Sequence, residues 1–313
     1  MKFATSNSRL FGPPFCPPKR QPGAGTAPRR FAWYKSLARG QAVPAPSSTF
    51  DETALHFRPL RQIVVAGLGS VCLGLVAWAG PASDLGPAAR AQRAFWETHT
   101  RYEAEPLNAH AAWRFARACF DRAEFATNSA ERAEIAEQGI AVCRDLIARE
   151  PKLAAAHYYL GMNLGQLAQT RGLSALKIVD QMEREWMVAR DLDEQFDYAG
   201  PDRNLGLLYR DAPPIASIGS RSKARHHLQR ANELAPDFPE NGLNLIESYL
   251  KWSDRNGARR ELKALEEIWP SARRNLTGET WAATWADWEQ RLKKVKKKVE
   301  DAPKALEAPR SKE

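Results

Sequence analysis

The chain has 313 residues, of which 46 are Lys or Arg and 37 are Asp or Glu, for a formal net charge of +9. A length of this order admits two domains, but the charge is spread unevenly: residues 1–62 carry ten basic and two acidic side chains, residues 291–313 nine and four, and residues 63–290 27 and 31. The excess positive charge belongs to the two ends and the centre is slightly acidic, which argues against a nucleic-acid binder that neutralises phosphates from a basic stripe on its folded module.

Residues 1–60, with "FGPPFCPPKRQPGAGTAPRR" and "QAVPAPSSTF", combine Pro, Gly, Ser and Arg with little apolar periodicity. Such composition cannot bury enough surface to offset ordering entropy, so a disordered leader is expected. Residues 61–80 change character: Ile63 to Ala79 is 17 residues without a charge, preceded by Arg58 and Arg61 and ending Ala77-Trp78-Ala79. A positive flank, an apolar run and a small-x-small exit are the parts of a secretory signal. As a helix the run is ~26 Å long, short for a permanent span. A cleaved signal, a retained anchor and a buried core helix are the three readings; under the first two, everything after Gly80 is extracytoplasmic, periplasmic or membrane-anchored. No Met lies between Met1 and Met162, and an initiator read as Leu, for instance Leu60, would bring the signal to the start of the chain.

Residues 81–104 read as a leading helix, with Phe95 and Tyr102 seven apart on one face. Residues 105–274 repeat. Ala224, Leu228, Ala231 and Pro236 are matched 34 positions later by Ala258, Leu262, Leu265 and Pro270, while Leu205-Gly206 with Tyr209 is echoed by Leu245-Ile246 with Tyr249 and by Leu160-Gly161 with Leu164. A small residue, a large apolar one four on, and a helix-ending Pro is the spacing at which two antiparallel helices interlock. Tyr249 and Ala258 are nine apart but Tyr209 and Ala224 fifteen, so "DAPPIASIGS" is a six-residue insertion between the two helices of one unit. There Pro213-Pro214 stops the first helix and Ser220 or Ser222 caps the second. "AQTRGLSALKIVDQ" and "FDRAEFATNSAERAEIAEQ" extend the earlier units. Ile215 and Ile218 in the insertion are expected to cover the neighbouring extension near Leu173 and Leu176, or a partner. Residues 275–300 read as a capping helix, with Trp281, Trp285, Trp288 and Leu292 in one stripe that seals the last apolar face. "KKVKKK" is its solvated C-terminal end, and residues 301–313 read as a disordered tail.

These positions resemble the tetratricopeptide repeat, most clearly over 199–270 and least over 113–151, where Ala116-Arg117 replaces the Leu-Gly pair. "HYYLGMNLG" and "LGLLYRDAP…IGSRSKARHHLQRANELAPDFPENGLN" further resemble the periplasmic helical subunit of tripartite ATP-independent transporters and the regulator-of-microtubule-dynamics proteins, over about 105–275. The resemblance implies an all-α solenoid of about four helix pairs with a further helix at each end. It implies a protein-binding scaffold whose first helices line a groove, and in this sequence those positions fall on Tyr158, Met162, Arg203, Asn204, Leu207, Arg210, Leu243, Asn244, Glu247 and Lys251. The alternative it implies is a transporter accessory subunit or carrier that encloses a small hydrophobic ligand.

No chemistry assembles beside this. His226 and His227 are adjacent, so they diverge by about 100° on a helix and cannot ligate as an i, i+4 pair; His157 stands where the repeat takes a large aromatic. "GLGSVC" lacks both the third Gly and a preceding strand of a dinucleotide fingerprint. Cys16 lies in the leader and Cys72 in the apolar run, leaving Cys119 and Cys143, which read as buried helix thiols or, in an exported protein, a disulfide. The expectation is a non-enzyme with no catalytic residue, cofactor or metal.

Overall fold

The computed structural model describes residues 86–301 apart from 173 and 216. The leader, the apolar segment 61–80 and the tail therefore lie outside the described residues, as does Leu173. Among the described residues there are ten helices: α1 Pro87–Ala104, α2 Ala109–Ala123, α3 Ser129–Arg149, α4 Ala154–Ala168, α5 Ala175–Leu192, α6 Phe196–Asp211, α7 Arg221–Leu234, α8 Pro239–Lys251, α9 Arg255–Asn275 and α10 Glu279–Glu300. Within the same residues no helix is long and apolar enough to cross a membrane.

Local chemistry marks the boundaries. Asn108, Asn128, Ser220 and Asp254 each accept from a backbone N–H in the first turn of the helix they precede, satisfying donors that the helix leaves open. At α3 the cap is reciprocal: Glu131 accepts from the backbone N–H and the hydroxyl of Thr127, at 2.6 and 2.7 Å. Those two bonds, with the Arg122 guanidinium beside them, bring its carboxyl down to about 2. Pro239 opens α8, where its missing N–H costs nothing.

α2 with α3, α4 with α5, α6 with α7 and α8 with α9 form four antiparallel hairpins. Successive first helices also pack on each other, α2 on α4, α4 on α6 and α6 on α8, whereas the second helices do so far less. The first helices thus make an inner row and the second helices an outer one. This is the stacked-hairpin, TPR-like solenoid expected. α1 packs on α2, where Phe115 meets Phe95 and Tyr102 at ring distances of 5.4 and 5.6 Å.

The Leu-Gly pairs have a packing cause. A Cβ on Gly161 would sit 2.4 Å from Nε1 of Trp186, and one on Gly206 2.6 Å from Cγ of Leu228. Only glycine lets α5 and α7 approach their partners so closely. Ala224, Leu228, Ala231, Ala258, Leu262 and Leu265 are all buried, as the 34-residue spacing requires. Pro270 corrects the expectation, because α9 runs through it to Asn275: Ala272 and Leu276 beyond it are buried in the cluster that contains the α10 tryptophans, and this packing carries the helix past the proline. The core forms two clusters, one from α1 to the start of α7 and one from α6 to α10. They meet at α6.

Candidate functional site

The expected groove residues lie on the inner row, and the row is interior. Of α4 only Leu167 escapes full burial, and α6 is buried from Ala199 to Tyr209. Tyr158, Met162, Arg203, Asn204, Leu207, Leu243 and Asn244 are all inaccessible, so these side chains fasten helices together and do not face a partner. Asn204, for instance, donates to Sδ of Met162 at 3.0 Å, tying α6 to α4. Arg210, Glu247 and Lys251 reach the edge but are engaged. Arg210 forms an ion pair with Asp211 at 2.6 Å and donates to Ser248 at 3.2 Å, and Lys251 donates to Asp211 at 2.7 Å. Burial would raise the Asp211 carboxyl, but the bonds from Arg210 and Lys251 outweigh it and hold it below its ordinary range.

The polar centre of the row is Arg203, fully buried in α6. Just before it Asp197, Tyr198 and Ala199 take φ of 50°, 58° and 59°, three consecutive left-handed residues of which none is glycine. Each costs about 1–2 kcal/mol against right-handed geometry. Arg203 holds them: its guanidinium donates to the Tyr198 carbonyl at 3.0 Å, the Asp197 carbonyl at 3.1 Å, the Asp197 carboxylate at 2.9 Å and Oδ1 of Asn241 at 3.1 Å. Tyr158 donates to the same carboxylate at 2.6 Å. Asn241 donates to the Tyr198 carbonyl at 3.1 Å and to that of Ala231 at 2.9 Å. Tyr198 stacks on Phe238 with centroids 4.3 Å apart. One buried cation therefore joins α4, the strained turn and α8, where the two core clusters meet. Sequence reasoning found Arg203 but missed Asp197 and Asn241. Gly200-Pro201 was the available signal, since a proline there marks the start of regular helix after an irregular approach.

A second missed residue is Arg291 on α10. It binds Glu240 at 2.8 Å, Glu247 at 2.9 Å and Asn244 at 2.7 Å, and Trp288 donates to Glu240 at 2.6 Å. Burial alone would lift the Glu240 carboxyl, but Arg291 brings it below its usual range. Asp287 goes the other way, raised by burial although Arg291 opposes this. Trp281, Trp285 and Trp288 are buried and Leu292 partly so, which is the seal expected of the tryptophan stripe.

The insertion forms a closed loop. Ser220 donates its N–H to the Tyr209 carbonyl at 2.9 Å, Ser217 donates to that of Pro213 at 3.1 Å, and a Cβ on Gly219 would lie 2.0 Å from the Ala212 oxygen. Ser220 is the cap of α7. Ile218 packs on the first core cluster, but Ile215 is 99% exposed, which corrects the first of the two alternatives expected for Ile215, cover over the neighbouring extension.

His157 has Glu185 at 2.7 Å from Nδ1 and the Pro151 carbonyl at 3.0 Å from Nε2. The Glu185 bond raises its pKa, against an opposing effect of burial. His227 is buried against Asp202 at 2.7 Å, while His226 is exposed. Cys119 and Cys143 are buried free thiols whose ionisation burial opposes. Among the described residues no group of three or more His, Cys, Asp or Glu could hold a metal ion. What this arrangement does chemically is fasten helices.

No curated protein matches the chain. Among solved structures it is similar to a thermophilic TPR protein of Thermus thermophilus, at 20% identity over 66% of this chain and 90% of that one, with a TM-score of 0.49. The family model described as regulator of microtubule dynamics protein 1-3 matches residues 87–182. The chain is a divergent TPR-like helical protein, similar over α1 to the first part of α5 to the regulator-of-microtubule-dynamics group.

Proposed function

We propose that this protein is a non-enzymatic scaffold that binds a partner protein through the inserted loop of its third hairpin, not through the inner helix row. The observation that supports this is the contrast between the two surfaces. The inner row spends its polar groups on its own helices, while a loop closed by three backbone bonds presents Ile215 fully to water. A rigid loop holding an apolar side chain exposed has already lost the conformational freedom that binding would otherwise remove. Arg221 and Lys223 beside it are exposed cations. The carrier alternative has less support, because Met182 and Trp186 fill the space between α4 and α5.

The test is Ile215→Asp, since this residue contributes nothing to the core and Ile218 does. Melting is expected to stay unchanged, while in-cell crosslinking of the native protein loses its partner. A partner retained at full yield overturns the loop assignment. Export forms the other part of the proposal, supported by the uncharged run Ile63 to Ala79 behind Arg58 and Arg61. Fractionation of the native cells checks it, and a purely cytosolic protein with an intact N-terminus overturns it.

A further inference from the structure

α10 is built into the array as the first helix of a fifth pair. Arg273 of α9 pairs with Glu289 at 3.4 Å, and Glu266 of α9 with Lys296 at 2.5 Å, so α10 runs antiparallel to α9. Trp288 contacts Glu240 while Arg291 reaches Asn244 and Glu247, so it runs parallel to α8. This is the relation that α8 bears to α6, where Arg203 meets Asn241 and Arg210 meets Ser248.

In each complete hairpin a second helix covers the flank of the first. On α10 that place is taken by no helix among the described residues, and the outward surface there is an open groove lined by Glu289, Leu292, Lys293, Lys296, Lys297 and Glu300. Its two acids stand at the ends; Glu289 is already paired with Arg273, and Lys296 with Glu266, both on α9. Its middle is cationic: Lys293 and Lys297 are exposed one turn apart, and Lys294 and Lys298 widen the patch. Leu292 is only partly buried against the core and offers an apolar contact on the floor. A solvated helix C-terminus commonly carries cations, which the macrodipole favours. This one presents a one-sign centre over a partly bare leucine.

We propose that this flank docks an acidic amphipathic helix of a partner protein, which occupies the position that a second helix holds in the four complete hairpins. The charge selects the occupant: carboxylates one turn apart on such a helix face Lys293 and Lys297, and its apolar stripe meets Leu292. Residues 302–313 carry three basic and two acidic side chains and lack that complementarity. The inference rests on the scaffold reading but uses a different surface from the Ile215 loop.

The probe is a labelled helical peptide of Glu and Leu with its leucines at helical spacing, titrated into the full chain and followed by fluorescence anisotropy. Saturable binding is expected that weakens at least about tenfold in the Lys293→Glu, Lys297→Glu double variant, in keeping with the loss of two charge contacts and the introduction of two repulsions. It should persist when Arg259 and Lys263, exposed one turn apart on α9, are reversed in the same way. Ile215→Asp should leave it unchanged, so failure of the loop reading and failure of this one are separable. Both lysines are exposed, and Lys293→Gln, Lys297→Gln gives a milder version if the reversal disturbs folding. Absence of saturable binding overturns the proposal. So does equal binding by the reversed variant, or by an all-Glu peptide without leucines. Binding seen only after removal of residues 302–313 would assign the flank to the chain's own tail and likewise overturn it.

Discussion

Arg203→Met tests the polar centre directly. Methionine keeps much of the volume and the contact with Phe238, over whose ring the guanidinium carbon lies at 5.3 Å, but removes all donors. The carbonyls of Asp197 and Tyr198 lose bonds of 3.1 and 3.0 Å, and the Asp197 carboxylate loses its cation at 2.9 Å. Breaking a buried pair by removing one partner costs about 3–5 kcal/mol. The Asp197 side chain is 18% exposed and keeps the bond from Tyr158, which favours the lower end. The three left-handed residues lose their anchor as well, and at about 1–2 kcal/mol each they have reason to relax. We expect a loss of about 3–5 kcal/mol, or roughly 6–20 °C in Tm for a domain of this size. Circular dichroism melting measures it, and amide exchange should rise at 197–200. In a double-mutant cycle Asp197→Asn should couple to Arg203→Met by about 1–3 kcal/mol. A variant that melts within about 2 °C of the parent, or exchanges no faster at the turn, would show that Arg203 does not hold the strained segment.

His157 has acceptors at both ring nitrogens, an arrangement that favours the protonated ring. Because its folded pKa is raised, its stabilisation is fully present below the unfolded value of about 6.5 and is lost as pH rises through the folded value. Melting temperature should fall over that interval, and His157→Gln should flatten the fall; an unchanged slope refutes the assignment. Gly161→Ala places a methyl against the Trp186 indole and should cost about 1–3 kcal/mol in denaturant unfolding, by overpacking that neither helix can relieve. A cost near zero would mean that the α4 to α5 approach is looser than the structure has it.

The hairpins were legible because their determinants repeat. Ala224 and Ala258, Leu228 and Leu262, and Ala231 and Leu265 each occupy one geometric position twice, so their spacing reports packing without knowledge of the partner helix. The tryptophan stripe was legible for the same reason, since Trp281, Trp285 and Trp288 share one helix face. The site was not. Arg203, Asn204 and Asn244 look in sequence like groove residues, because polar side chains on first helices usually face solvent. Their burial depends on partners 38 to 47 positions away, as in Arg203 with Asn241 and Arg291 with Asn244, and nothing local encodes those pairings. Asp197 was hidden for another reason. A left-handed run of Asp, Tyr and Ala contradicts the propensity of each residue, and only the buried guanidinium five or six positions later makes it tenable.

The same contacts explain why this solenoid does not keep an open inner face. In three of the four hairpins the outer helix is the longer: α3, α5 and α9 have 21, 18 and 21 residues against 15, 15 and 13 for α2, α4 and α8, while in the third hairpin the order reverses, with 16 for α6 and 14 for α7. α4 is written with four alanines and two glycines in "AAAHYYLGMNLGQLA". Short inner helices with small side chains approach one another closely, and long outer helices wrap them, so the inner row becomes a core. Groove positions in such an array are then under the constraints of a core: a charge placed there needs a buried counterpart, which Arg203 finds in Asp197 and Arg291 in Glu240 and Glu247. On the readings proposed above, recognition is left to the places where the array departs from its repeat. Those are the six-residue insertion, which exposes Ile215 while Ile218 ties it to the core, and the flank of α10 that no described helix covers, which Glu289 and Lys296 tie to α9.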